Sequence, residues 1–88
     1  MQDGSKALFY AFNLPPLPAG RTYQLWLIRG RSPAIVSGGV FQAGADGSAV
    51  VQFSDAAMLK DVRQFAVTDE PGGGSPGPTG KQFLRAAS

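Results

Sequence analysis

The sequence predicts an all-β domain: a small immunoglobulin-like antiparallel β-sandwich with one short helical turn. Three observations carry that prediction. Short apolar runs rich in aromatic and β-branched residues recur at intervals of roughly ten residues. Between them the chain is dense in punctuation, with 12 Gly and 7 Pro among 88 residues. Charge is low, at 16% against 43% hydrophobic residues, which suits strands joined by turns better than a helical bundle.

Taken in order, Lys6 to Leu14 alternates as a strand, with Leu8, Tyr10 and Phe12 on one face and Ala7, Phe9 and Ala11 on the other. Both faces are expected to be covered. Pro15, Pro16 and Pro18 forbid ladder hydrogen bonds, so Leu14 to Gly20 reads as an extended connector with Leu14 and Leu17 capping the core. The alternative for this segment is a polyproline ligand for an aromatic groove.

Thr22 to Ile28 is the central strand. It holds the only Trp, is bounded by Pro and Gly, and carries large side chains on both faces, so it belongs inside the domain. Tyr23, Leu25 and Leu27 point one way; Gln24, Trp26 and Ile28 point the other. After a turn at Arg29 to Pro33, Ala34 to Phe41 resumes as a strand whose Gly38-Gly39 pair signals a bulge or close backbone approach. Asp46-Gly47 is a hairpin signal, which predicts that Ser48 to Phe53 pairs back antiparallel with Ala49, Val51 and Phe53 inward.

Ser54 to Val62 is the helical candidate, with Ser54 or Asp55 as cap and Met58, Leu59 and Val62 sharing a face. Gln64 to Thr68 is a strand with Phe65 and Val67 on one face. Asp69 to Gly80 is the longest loop, and Lys81 to Arg85 closes the domain through Phe83 and Leu84. The whole chain, 1–88, is one domain with its core over about residues 6–85. At this length total stability is about 4–13 kcal/mol.

Several chemistries are excluded. The chain has no Cys and no His, so it lacks a disulfide framework, a Cys nucleophile, the usual zinc ligands and a His-based triad. The Gly-rich stretch ending in Gly80-Lys81 is not a phosphate-binding loop. Five residues separate Gly74 from Gly80 where such a loop has four, Gln82 follows the lysine, and Pro76 and Pro78 remove amide donors. Asp69 and Glu70 are strand neighbours on opposite faces, not an acid/base pair. No catalytic, cofactor-binding or metal residue is assigned, and no cofactor is expected. Arg21, Arg29 and Arg31 bracket the central strand, but a net charge of +2 is too small for a nucleic-acid field, and they read as a solvated rim. Met1 to Gly4 does not begin a secretory signal and no apolar run spans a bilayer, so the chain is expected to be soluble as given.

Two stretches go beyond fold class. Leu14-Pro15-Pro16-Leu17-Pro18-Ala19-Gly20-Arg21-Thr22-Tyr23-Gln24-Leu25-Trp26-Leu27-Ile28 resembles the signature of the C-terminal, extracytoplasmic domain of anti-sigma-K type transmembrane anti-sigma factors. Phe65-Ala66-Val67-Thr68 through Glu70-Pro71 and Gly73-Gly74-Ser75 to Pro78-Thr79-Gly80 is similar to that family's closing motif. Gly39-Val40-Phe41 and the Asp46-Gly47 turn fall between them in the family's order, and the resemblance spans about Ala7 to Leu84. Asp69 departs from it, standing where the family carries an apolar residue, as does Lys81-Gln82.

The resemblance implies a parent protein on the bacterial cell membrane, with a cytoplasmic segment, absent here, that binds an extracytoplasmic-function sigma factor. It also implies release by regulated proteolysis, with this domain as a non-catalytic regulatory or sensory module outside the membrane. Tyr23, Leu25, Trp26, Leu27, Val40, Phe41, Phe65 and Val67 would be structural core. Glu70, Pro71, Gly73, Gly74, Ser75, Pro78, Thr79 and Gly80 would form an exposed contact loop for an unidentified protein partner. The family carries strand material ahead of Met1, so this chain would lack an edge strand and form a homodimer by edge pairing or exchange. The alternative is a generic immunoglobulin-like adhesion or carbohydrate-binding module with an exposed Trp26 stacking on a sugar.

Overall fold

The computed structural model describes residues 7–30, 32, 34–53 and 61–87. Among the described residues six strands form: β1 (Ala7–Ala11), β2 (Arg21–Arg29), β3 (Ile35–Phe41), β4 (Ala49–Phe53), β5 (Val62–Pro71) and β6 (Gln82–Ala87). They make two antiparallel sheets, a small one of β1 and β4 and a larger one in the order β3-β2-β5-β6. Side chains of both sheets meet in one core. Tyr23, Leu25, Leu27 and Val67 of the larger sheet pack with Ala11, and Phe9, Ala49 and Val51 of the smaller sheet line the same cluster. The result is a small β-sandwich, as the strand spacing predicts.

β2 is buried from Thr22 to Leu27 and hydrogen-bonded on both sides, by β3 and β5. An extended apolar strand with no solvent-facing side has this position available to it and no other. The lead-in is fixed to it: the Tyr23 hydroxyl donates to the Pro15 carbonyl. Tyr23 also lies against Phe41 and Phe83, at centroid distances of 5.6 and 5.4 Å. Leu14 is buried and Leu17 packs on the core, so the proline-rich connector caps one end of the sandwich.

The glycine pair in β3 makes a bulge. Leu25 faces Gly39 and Trp26 faces Ser37, leaving Gly38 as the extra residue. A Cβ at Gly38 would lie 3.1 Å from Leu25 Cδ2 and 3.4 Å from Leu27 Cδ2, so its missing side chain is what lets β3 close over the core leucines.

Four expectations are corrected. β4 does not pair back on β3; it crosses to the other sheet and pairs with β1, Phe9 facing Val51. The turn is tied to the wrong segment for a hairpin, because the Gly47 carbonyl accepts the amide of Leu14, three residues past the end of β1 (2.9 Å), while Asp46 Oδ1 accepts the Ser48 amide and hydroxyl. β1 is not covered on both faces: Phe9 and Ala11 face the core, but Leu8, Tyr10 and Phe12 are more than half exposed, because no third layer lies over the small sheet among the described residues. Val40 is exposed, since it sits past the bulge on the outer side of an edge strand. β5 runs through Pro71, so Asp69 and Glu70 are strand residues and not the start of the loop. The helical candidate lies outside the described residues up to Lys60; Val62 itself opens β5 opposite Arg29, and the described residues contain no helix.

Leu25 is completely buried at the centre of the inner face. Leu25→Ala lowers stability by about 2–5 kcal/mol, a large share of the total for this length, as chemical denaturation followed by Trp26 fluorescence will measure.

Candidate functional site

The outer face of the larger sheet carries Thr22, Gln24 and Trp26 on β2 beside Glu70, Thr68 and Ala66 on β5, paired in that order. All six are buried. What covers them is the loop from Gly72 to Lys81, which folds back across the sheet and is held by polar side chains that the strands present from beneath.

Glu70 is the main anchor. Its carboxylate is fully buried and accepts from the Thr68 hydroxyl (2.5 Å), the Thr79 hydroxyl (2.5 Å), the Thr79 amide (3.0 Å) and the Gly80 amide (3.2 Å). Burial alone would raise its pKa, but these donors outweigh it and hold the group at about 2. The Thr68 hydroxyl, having donated to Glu70, accepts the Trp26 indole N–H at 2.8 Å. A single relay therefore runs from the indole through Thr68 and Glu70 to the loop backbone.

Gln24 is the second anchor. Its amide donates to Ser37 Oγ (2.8 Å) and to the Ser75 carbonyl (3.2 Å), and its Oε1 accepts the Ser75 amide (2.9 Å). One buried side chain thus joins β2, β3 and the loop. Asp69 is the third, on the opposite face. Arg21 donates to its Oδ2 from Nη2 (2.9 Å) and Nε (3.3 Å), the Lys81 amide donates to Oδ1 (2.7 Å), and the guanidinium bonds first among these hold its pKa low. Its charge also adds to burial in raising the Tyr23 pKa. Asp69 is thus accommodated at the half-exposed end of the strand by Arg21. Gly80 is obligatory at the loop's end: a Cβ there would fall 1.7 Å from the Asp69 carbonyl oxygen.

Two shallow hollows flank this construction. One, of about 240 Å³, lies over Trp26, Ile28 and Ala66 with Pro78 and Arg85 at its rim. The other, of about 290 Å³, lies between the Leu14–Leu17 connector and Gln42–Ala45, with Tyr23 at its base. Among the described residues no three of His, Cys, Asp and Glu converge as a metal site. Both carboxylates at the loop are saturated with donors, an arrangement that fixes backbone and leaves neither poised for proton transfer.

The residues expected as core separate into three groups. Tyr23, Leu25, Trp26, Leu27 and Val67 are buried; Phe41 and Phe65 are half-buried, and Val40 is exposed. Of the expected contact loop, Pro71, Gly73, Pro78 and Thr79 are exposed and Gly74, Ser75 and Gly80 half-buried, whereas Glu70 lies completely beneath. Trp26 is 1% exposed and offers no face on which a sugar could stack, which removes the basis of the carbohydrate-binding alternative. Sequence reading missed Gln24, Thr68 and Arg21. Their signal was present as polar residues at alternate positions of strands otherwise read as buried, because a buried polar group must find a partner.

Glu70 stabilises the fold as a carboxylate, so its contribution is complete above about pH 4.5 and is lost as pH falls toward about 2. Glu70→Gln should lower stability at neutral pH by about 1–3 kcal/mol and flatten this acid limb, read from denaturation midpoints between those pH values. Trp26 emission is expected to be blue-shifted and resistant to acrylamide. Gly80→Ala, by displacing the loop, should make it quenchable.

Comparison with known proteins bears on this arrangement directly. The family model for the anti-sigma-K factor rskA C-terminal region matches residues 1–82. An anti-sigma-K factor RskA of Mycobacterium tuberculosis (strain ATCC 25177 / H37Ra) is 38% identical over 82 residues, covering 90% of this chain and 33% of the relative. The Mycobacterium ulcerans (strain Agy99) protein of that name is 34% identical over the same share of this chain and 32% of its own length. A Mycobacterium bovis protein described as a dysfunctional anti-sigma-K factor RskA is 37% identical, again over 90% of the chain. No solved structure matches. The chain spans about a third of the length of the curated relatives it matches. Residues 1–82 include the buried β2 and the pinned loop in full, and the chain belongs to the anti-sigma-K factor C-terminal domain family.

Proposed function

We propose that this chain is the extracytoplasmic regulatory domain of a membrane-anchored anti-sigma factor, non-catalytic, acting through protein contacts and through regulated proteolysis of its parent. The family match over residues 1–82 carries this reading. The parent's remaining length would include the segment that holds an extracytoplasmic-function sigma factor and a membrane anchor. No helix among the described residues is long and apolar enough to cross a membrane.

The geometry supports a contact role for the loop. Pro71, Gly73, Pro78 and Thr79 present a surface whose backbone is fixed from below by Gln24 and Glu70, so a protein partner would meet a preformed shape and lose little ordering entropy on binding. Glu70 itself would act as the anchor of that surface and not as a contact. Pro78 lies at the rim of the hollow over Trp26, and the Thr68–Glu70 relay ties the indole to the loop backbone, so engaging or displacing the loop would be transmitted to the interior of the sheet.

The test is a graft. This chain replaces the matching C-terminal region of the M. tuberculosis relative, and transcription from a promoter dependent on that relative's sigma factor is measured. The expected result is a repressed reporter, with at least partial loss of repression when Gly80→Ala or Glu70→Gln disrupts the loop. A reporter indifferent to whether the graft is folded would refute the regulatory role.

A further inference from the structure

The sandwich is closed along one side and open along the other. β4 approaches β3 where the two sheets meet, but only two strands lie over the four of the larger sheet. β1 therefore has an outer edge along which no described strand runs. Phe9, on β1, touches Phe65 on β5 with centroids 5.3 Å apart, which places that edge over β5 and leaves β6 uncovered beside it. On the floor of this opening Phe65, Phe83 and Leu84 are only half-buried.

The described edges differ in protection. β3 carries the Gly38 bulge, and β6 carries Arg85 and a register shift beside Thr68. Those are features that discourage a further strand from pairing. β1, Ala7-Leu8-Phe9-Tyr10-Ala11, has no charge, no proline and no bulge against β4. On its outer face Leu8 is 52% and Tyr10 58% exposed.

We propose that two copies of this chain associate through β1, antiparallel about a two-fold axis at Phe9. Leu8 of each copy then faces Tyr10 of the other, and Phe9 faces its own equivalent. The sequence suits this pairing to itself: β1 is uncharged, so the copies do not repel there, and each Leu8–Tyr10 pair is an aliphatic–aromatic cross-strand contact. The joined small sheets become β4-β1-β1-β4, four strands. Five ladder positions with the flanking Leu8, Phe9 and Tyr10 side chains make a small interface beside the roughly 1,000 Å² of a stable one, so the dimer is reversible and not obligate. This inference stands apart from the regulatory reading and does not require it.

Sedimentation equilibrium on the 88-residue chain, up to about 1 mM, tests it. The expected result is a reversible monomer–dimer equilibrium that Leu8→Lys and Tyr10→Glu each weaken by at least about tenfold, with circular dichroism and Trp26 emission unchanged. Mixing the two variants should restore association, because the register sets Lys at position 8 against Glu at position 10. A strict monomer throughout overturns the proposal, as does a dimer indifferent to both substitutions. Two monomeric variants that fail to associate when mixed overturn the register about Phe9.

Discussion

The structure depends on how β2 is covered. Its inner face meets the other sheet through aliphatic and aromatic contacts, which need no direction. Its outer face carries an indole N–H and a glutamine amide, and no second sheet lies there among the described residues. Polar groups removed from water without partners would each be unfavourable by about 1–3 kcal/mol. The closing loop meets Gln24 directly through the Ser75 backbone and the indole through the Thr68–Glu70 relay, so satisfaction of β2 and placement of the loop are one problem with one solution.

That solution is directional where the inner core is not. Oil-like packing would tolerate the loop at several offsets, but the Glu70 carboxylate accepts from both Thr79 and Gly80, and Gln24 both donates to and accepts from Ser75. Shifting the loop by one residue would break every one of these bonds at once. Arg21 and Asp69 add a partly screened ion pair at the strand end, whose contribution lies chiefly in holding the Lys81 amide and the start of β6 in place. The prolines at 76 and 78 reduce the number of conformations the loop must give up when it docks.

Much of the fold was legible because the signals were local. Six strands, a buried β2 and the bulge at Gly38-Gly39 all follow from apolar runs, alternation and glycine placement. What alternation could not reveal was partnership. Asp46-Gly47 indicates a turn, yet whether β4 rejoins β3 or crosses to β1 is settled by contacts more than thirty residues apart in sequence, the β1–β4 ladder and the Leu14–Gly47 hydrogen bond among them. Period two also left β1 ambiguous, since Leu8, Phe9, Tyr10 and Phe12 are all apolar and only the number of layers decides which face is wet. At the candidate site, composition made the 69–80 stretch read as a free loop. Its docking was hidden in Gln24, Thr68 and Glu70, whose polarity on buried strands has meaning only once their cross-strand neighbours are known.

The unequal size of the two sheets has a mechanical side. β1 is bound to the molecule by a five-residue ladder to β4 and by Phe9 and Ala11, whereas β2 and β5 are zipped along nine paired positions at the centre of the larger sheet. Tension entering at Ala7 loads the short ladder before the long one. The domain would then yield in two stages, with the small sheet peeling away while the four-stranded body, its loop still clasped on Glu70, keeps its shape.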